Sequence, residues 1–427
     1  MFDVPRRVYA RLIEHHELEY ALFDAIDADW FDKRAAAGPT SLRFESWAAD
    51  SISAPIYVVE FNARGVNGFA SFLWLATRFG MRRRLSQWFE LSLLPENNGP
   101  AAVYFSMTGE PRYADAFLGR PDRLTRLLLE QLTDLSSQID TRNSILDELN
   151  KIDHEEVFAL DVGQGSANAL VPKSGHASAY VDLGRSVLGD SPSWQTGTTF
   201  CLSQAKTVIL SHWHYDHFYG ANMQPHALTL TWIAPYQKIG AGPQLSMASS
   251  IASNGQLKIW GGNGTISSTS VDLERSVGKG TDLNRSGLAV WVKDPNGTRD
   301  PILLPGDAGY KDLRSLLGRN ITSFAAAHHG GKSPGIPPRK SGATSAKVVL
   351  SYGLNNGYGH PLPNYIGRLG KQGWALGQPG APIDERRTED RKTVPTHQIA
   401  LGNVRLNWGH GRSPPQCSCG CTIEPTQ

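Results

Sequence analysis

Thr207–Gly220 reads TVILSHWHYDHFYG, an apolar run that ends in three histidines and one aspartate within six residues. In an extended segment leaving a strand, alternate side chains project the same way, so His212, His214 and Asp216 share one face. If the chain turns into a helix there, His217 reaches the same cavity, and one short segment can serve two metal ions. Imidazole and carboxylate together suit zinc or a similar first-row ion, and manganese or iron is compatible with the same donors. The whole chain holds 13 histidines in 427 residues, an ordinary total, so the cluster is not a by-product of composition.

Around this segment the sequence alternates short apolar runs with turn-rich intervals. Val157–Val162, Ala167–Val171, Ala179–Leu183, Thr207–Leu210, Leu228–Ile233, Gly287–Val292, Pro301–Leu304, Ser323–Ala327 and Lys347–Leu350 all read as strands. Gly and Pro crowd the intervals at 184–198, 234–264, 330–343 and 376–382. The first third has a different character. Residues 5–30 place Val8, Leu12, Ile13, Leu18, Ala21, Leu22 and Ile26 at near-helical spacing, and β-rich runs follow at Ser41–Trp47, Ile56–Phe61 and Ala101–Phe105. Leu128, Leu132, Leu135 and Ile139, continued by Ile145, Leu146 and Leu149, predict one long amphipathic helix over 121–152, with a break near Asn143. The expected organisation is therefore an N-terminal α+β region over 1–155, a second domain over 156–410, and a flexible Cys-containing tail over 411–427.

Composition bounds the function classes. Hydrophobic residues make up 40% and charged residues 19%, enough to build a core and too few charges for a disordered chain. Lys plus Arg is 42 against 40 for Asp plus Glu, so no global charge draws the chain to nucleic acid or an anionic membrane. The apolar stretch Gly68–Thr77 is about half the ~20 residues that a membrane-spanning helix needs. Four cysteines are too few for a disulfide framework, and Met1–Arg7 leads into no apolar signal core, so a reducing, cytoplasmic setting is expected. Cys417, Cys419 and Cys421 stand at a spacing that matches no common zinc pattern. The alternating charges of Asp384–Lys392 read as a solvated surface, and Arg82–Arg84 and Arg339–Lys340 as small basic clusters. Gly163-Gln164-Gly165 follows a strand, but residue 168 is Asn, so the turn is not a dinucleotide fingerprint.

Further segments follow in a set order: LDVGQGSANALV (Leu160–Val171), YVDLG with Asp182, and LNRSGLAVWV (Leu283–Val292). LLPGDAG with Asp307, AAHHGG with His328 and His329, and SYGLNNGYGHP ending in His360 complete the series. With HWHYDH they resemble the metallo-β-lactamase superfamily over roughly residues 157–410. The likeness is in particular to the hydrolase domain attached to bacterial DNA-uptake channel proteins (ComEC) and, in ligand order, to the phosphorylcholine esterases. The resemblance implies an α/β fold, a metallo-β-lactamase-like αββα sandwich following the N-terminal α+β region. It implies that His212, His214 and one of His328 and His329 hold one metal, that Asp216, His217 and His360 hold the other, and that Asp307 bridges them. His329 is the expected ligand of its pair, with His328 facing substrate. Nothing between His217 and Asp307 resembles the additional ligand histidine of lactamase and lactonase members, and His226 reads as an ordinary strand or loop histidine. Asp161 and Asp182 are candidates to orient ligand imidazoles.

Two divalent ions, expected to be zinc with manganese as the alternative, would lower the pKa of a water held between them and serve an in-line displacement. The expected function is thus a dinuclear metal-dependent hydrolase, a phosphodiesterase or nuclease, with Asp216, Asp307 and His328 as its catalytic groups. The expected substrate is a phosphoester, nucleic acid included, with no membrane partner, and a protein partner would be met through the N-terminal region. One alternative is hydrolysis of a carboxylic ester, lactone, thioester or lactam. A second is an effector or sensor role in a bacterial defence or toxin system.

Overall fold

In the computed structural model, residues 3–16, 20–49, 54–62, 87–194, 199–317, 319–341, 346–353, 356–374, 392–394, 403–406 and 408–409 are described. The expected apolar stretch at 68–77, the basic cluster Arg82–Arg84, the charged run up to Arg391 and the Cys-containing tail lie outside these residues. The chain divides into two units. One comprises Met1–Gln138, Gln237–Gly255 and Gly280–Leu283, and the other comprises Ile139–Tyr236, Gln256–Lys279 and Asn284–Gln427.

The first unit opens on a β-hairpin where the spacing predicts a helix. Strands β1 (Arg7–His16) and β2 (Tyr20–Asp27) pair antiparallel, and only then does the helix Ala28–Ala37 begin, capped by Asp27. The reason is that both faces of this segment are apolar. Val8, Ala10, Leu12, Ala21, Phe23 and Ala25 enter the core of the unit, while Tyr9, Ile13, Leu22 and Ile26 on the opposite face are also buried. A run with apolar residues on both faces carries no clear two-residue period. With β3 (Ile56–Asn62), β4 (Trp88–Pro95), β5 (Ala101–Tyr104) and β6 (Arg112–Gly119) the hairpin closes a barrel in the order β1-β2-β3-β5-β6-β4. Ser41–Trp47, expected as a strand, is instead a 3₁₀ turn at Pro39–Leu42 followed by the helix Phe44–Ala49. Asp24, fully buried on β2, accepts bonds from the backbone N–H groups of Gly242 and Gln244, the latter at 3.0 Å, and so fastens the segment 237–255 to the barrel strand.

The long helix expected over 121–152 is two helices, Arg123–Leu132 and Arg142–Leu149. The first helix is capped at its start by Asp122, which accepts from the Thr125 N–H at 2.8 Å, and a second N-cap marks the break: Thr141 accepts from the Ser144 N–H at 3.1 Å. A side chain that satisfies the free N–H groups of a new first turn makes restarting a helix cheaper than continuing the old one. Ile145 and Leu149 then pack with Val157, Ala159 and Leu406. This packing is why the division falls at Gln138 and not near residue 155.

The second unit contains two seven-stranded sheets. The first has the order β12-β11-β10-β9-β8-β7-β20, from β7 (Glu156–Ala159), β8 (Ala167–Val171), β9 (Ala179–Leu183), β10 (Thr207–Ile209), β11 (Thr231–Pro235), β12 (Gln256–Trp260) and β20 (Val404–Leu406). The second has the order β13-β14-β15-β16-β17-β18-β19, from β13 (Thr265–Ser267), β14 (Val271–Arg275), β15 (Leu288–Val292), β16 (Ile302–Leu304), β17 (Ser323–Ala325), β18 (Val348–Leu350) and β19 (Lys392–Val394). The side-chain alternation of β15 assigns the layers. Leu288, Val290 and Val292 face a core shared with Val157, Val181, Ile209 and Ile233 of the other sheet, while Ala289 and Trp291 point outward to the helix Pro363–Lys371 through Tyr365, Ile366 and Leu369. The unit is therefore an α/β sandwich, two sheets face to face with helical cover on the second. Strands β9 to β12 are mutually parallel, as are β16 to β18, so their carboxyl ends lie along one edge of each sheet. No helix among the described residues is long and apolar enough to cross a membrane.

Removing the Asp24 carboxylate leaves two buried N–H groups unpaired. Asp24→Ala should destabilise the barrel unit by about 1–3 kcal/mol, read as a lowered urea midpoint in tryptophan fluorescence.

Candidate metal centre

The candidate ligands sit where parallel strands end. Ser211–His217 follows β10, Asp307 follows β16, His328 and His329 follow β17, and His360 follows β18. A short helical turn, Tyr215–Phe218, swings His217 back under His212, whose ring centroid lies 4.1 Å from its own. Asp307 stands at the centre of the group. Its Oδ1 lies 3.2 Å from His217 Nε2 and 3.8 Å from His329 Nε2, and its Oδ2 lies 3.5 Å from His212 Nε2 and 3.8 Å from His328 Nε2. One carboxylate thus faces two sets of imidazoles, one through each oxygen.

The two neighbouring histidines fall on different sides of this carboxylate. His329 Nε2 is 3.1 Å from Asp216 Oδ2 and 3.3 Å from His217 Nε2, so it joins Asp216 and His217 rather than His212 and His214. His328 lies on the His212 side, and His212 in turn stacks edge-on with His214 at 4.7 Å. His360 packs beside both members of the pair, 5.1 Å from His328 and 6.4 Å from His329. Backbone conformation separates the two neighbours: both have φ of 53°, in the left-handed region that side chains other than glycine avoid. Holding each there costs about 1–3 kcal/mol, a strain that clusters at functional sites. Each is anchored through Nδ1, His329 to the Ser351 carbonyl at 2.8 Å and His328 to the Lys332 carbonyl at 3.2 Å. A carbonyl only accepts, so both Nδ1 atoms carry a proton, and both Nε2 atoms are turned toward the Asp307 carboxylate.

The same logic sets the other rings. Asp182, itself at φ 61°, accepts from His217 Nδ1 at 2.8 Å, from the Ser211 N–H at 2.7 Å and from the Ser211 hydroxyl at 2.9 Å. With its proton committed to Asp182, the Ser211 oxygen accepts from His212 Nδ1 at 3.0 Å, leaving His212 Nε2 bare toward Asp307. Asp182 therefore orients His217 directly and His212 through Ser211. Asp161 is buried with its N–H bonded to the Asn403 side chain at 2.7 Å. His226 is exposed on a 3₁₀ turn and bonds Thr229 at 3.3 Å. Ser211, Ser351 and Gln164 were not singled out from the sequence. Gln164 accepts from the Gly353 N–H at 3.1 Å, and Ser351 donates to the Gly165 carbonyl at 2.7 Å, so the GQG turn braces the loop that carries His360. For Ser211 a signal existed, since it directly precedes the first ligand histidine. Close approach also requires Gly184, where an added Cβ would stand 1.7 Å from the Asp216 carbonyl oxygen.

Three buried ring nitrogens in this cluster have no hydrogen-bond partner, His212 Nε2, His214 Nε2 and His360 Nδ1, and Asp307 Oδ1 has only the His217 ring beside it, at 3.2 Å. Uncompensated burial of so many polar atoms in one place is costly, and a cation bound among them removes the cost. Ligand atoms of His212, His217 and Asp307 lie within 4.8 Å of one another, as do those of Asp216, His217 and His329. The residues present fit a pair of divalent ions in donor type and burial.

The electrostatics divide the imidazoles of this cluster into two groups. Burial pushes His212 well below the usual imidazole range, aided by the neighbouring His217, and pushes His214 down to about 4. Burial also lowers His360, with His328 and His329 adding repulsion. For His217 burial acts the same way, but the carboxylates of Asp307, Asp182 and Asp216 outweigh it and hold the ring well above its usual range. His329 is raised too, against burial, by its bond to Asp216 and by the charge of Asp307. Burial opposes the charge on Asp307, yet His217, His328 and His212 keep it well below the normal carboxylate range.

No protein-family profile and no curated protein matches this chain. Among solved structures, the chain is similar to the metallo-β-lactamase fold protein YhfI from Bacillus subtilis at 14% identity over 40% of this chain and 70% of that one, with a TM-score of 0.28. It is similar to the Rm3 metallo-β-lactamase at 15% identity over 42% and 79%, with a TM-score of 0.28. The Zn²⁺-bound PqqB from Methylobacterium extorquens aligns at 9% identity over 40% and 72%, with a TM-score of 0.27.

Asp182→Asn should weaken zinc and manganese binding about 10–100-fold, measured by equilibrium dialysis with metal analysis. Because bound ligands must be unprotonated, affinity falls with acidification. His217 and His329 hold their protons above the ordinary value of 6.5, so that fall should begin on the alkaline side of it.

Proposed function

We propose that this protein is a metal-dependent hydrolase of phosphodiesters, with two divalent cations held by His212, His214, Asp216, His217, Asp307, His329 and His360, and with His328 facing the substrate. The observation that carries this reading is the cluster of partnerless buried ligand atoms around Asp307, the two oxygens of which face different sets of imidazoles. When bound, such a cation pair activates water at neutral pH and offsets charge on both the entering and leaving oxygens of an in-line displacement.

The chain's own residues would supply position and proton control. Asp307 and Asp216 are kept as carboxylates by the surrounding imidazoles, so they are available as ligands without a prior proton loss. His328 is the more exposed member of its pair, with 14% of its side chain accessible against 4% for His329. Its Nδ1 proton is tied to the Lys332 carbonyl, so Nε2, the atom nearest Asp307, is where the ring would take up a proton, released by the attacking water, and pass it to the leaving oxygen. The phosphodiester choice is supported by the sequence resemblance to the ComEC-type domain and the phosphorylcholine esterases. It is supported also by the surface position of His226, the one histidine between His217 and Asp307.

Purified protein loaded with zinc or manganese should hydrolyse bis-p-nitrophenyl phosphate. Asp307→Ala and His214→Ala should reduce turnover at least about 1,000-fold, the scale of a lost electrostatic contribution to catalysis, with unchanged far-UV circular dichroism. Turnover of lactone or carboxylic ester substrates without any phosphodiester hydrolysis would replace this reading with an acyl-transfer one.

A further inference from the structure

Three residues after Asp182 the chain places Arg185, a side chain that neither the ligand set nor the proposed chemistry uses. Its backbone packs against the metal centre: a Cβ built on Gly165 would stand 2.9 Å from both the Arg185 carbonyl carbon and the Asp216 carbonyl oxygen. The residue is 6% exposed, an unusual degree of burial for a cation. Buried arginines ordinarily meet a carboxylate. This one has no carboxylate within ion-pair distance among the described residues. Its Nε donates to the Ser186 carbonyl at 3.1 Å, its Nη1 meets the Met223 sulfur at 3.1 Å, and its guanidinium carbon lies 4.3 Å over the Trp194 ring. Nη2 has no hydrogen bond to a described residue, and it is not among the sealed polar atoms of the protein.

The surroundings describe an opening rather than a core. Met223 is 53% exposed, and Trp194 and Tyr219 are half-buried. A flexible thioether is a weak acceptor for a guanidinium and is easily displaced by a stronger one. Burial lowers the pKa of Arg185, and the nearby Tyr219 is the single group that favours its charge, so the cation gains little inside the protein that an incoming anion would not improve. The Trp194 face fixes the guanidinium plane, and a planar fork held in advance suits the bidentate acceptor geometry of a phosphate.

We propose that Arg185, seated on Trp194 beneath Met223, binds an anionic group of the substrate away from the scissile bond, a second phosphate of a polyphosphorylated or oligonucleotide substrate. This rests on the phosphodiesterase reading and narrows its substrate class. The test compares two p-nitrophenyl phosphodiesters with the same leaving group. Methyl p-nitrophenyl phosphate carries one phosphate, and thymidine 3′-phosphate 5′-(p-nitrophenyl phosphate) carries two. The metal-loaded wild-type protein should prefer the second in kcat/KM, and Arg185→Met should reduce that preference at least about tenfold, the scale of one charge-assisted contact. Arg185→Lys, which keeps the charge but not the fork, should retain part of it. A ratio unchanged in Arg185→Met, whether or not both rates fall, overturns the proposal. If the wild type cleaves neither ester, the phosphodiesterase reading fails separately. The arginine is then judged by calorimetric titration with thymidine 3′,5′-bisphosphate: affinity at least tenfold weaker in Arg185→Met upholds an anion site, and equal affinity overturns it.

Discussion

The Asp307 carboxylate is the constraint on which the centre depends. It is buried with one oxygen toward His217 and His329 and the other toward His212 and His328. A carboxylate so deep in a protein would normally take up a proton, and here the imidazoles hold it charged. The reverse also holds, because His217 keeps its proton through that carboxylate and those of Asp182 and Asp216. Neither set is at ease without the other or without a cation, and the fold must supply the energy that keeps them together.

It does so through the sandwich. Parallel strands end on the same side, so the residues that follow β16, β17 and β18 arrive at one edge, and the residues that follow β9 and β10 arrive at the edge of the facing sheet. The core between the sheets is made of the inward members of each strand, from Val181 and Ile209 on one side to Val290 and Leu304 on the other. Strain is carried locally by Asp182, His328 and His329, all in the left-handed region, and anchored by the bonds to Ser211, Lys332 and Ser351.

The strands of the second unit were largely legible because short apolar runs separated by Gly and Pro are distinctive. Where the residues at the ends of a strand are polar or the strand pairs at an edge, as in β12, β13 and β20, the sequence carried no such contrast. In the first unit the hairpin β1–β2 was hidden by apolar residues on both faces, and the helices 123–132 and 142–149, which belong to different units, were joined by a period that continued across the cap at Thr141. Local hydrogen bonds decided those cases, and hydrophobic spacing does not report them.

The residues that gather around Asp307 were written in the chain. HWHYDH after a strand, an aspartate after LLPG, a histidine pair and a lone histidine in a glycine-rich loop define which atoms could hold a cation, because ligand chemistry is a property of residue type. What the chain order could not state is which oxygen of Asp307 each imidazole faces, or that His329 rather than His328 stands beside Asp216. Those facts depend on where strands distant in sequence terminate and on two backbone dihedrals held positive by tertiary bonds. The setting of Arg185, with no carboxylate partner among the described residues, belongs to the same class. An arginine is visible in any sequence, but whether it has a carboxylate partner is decided only when the chain is folded around it.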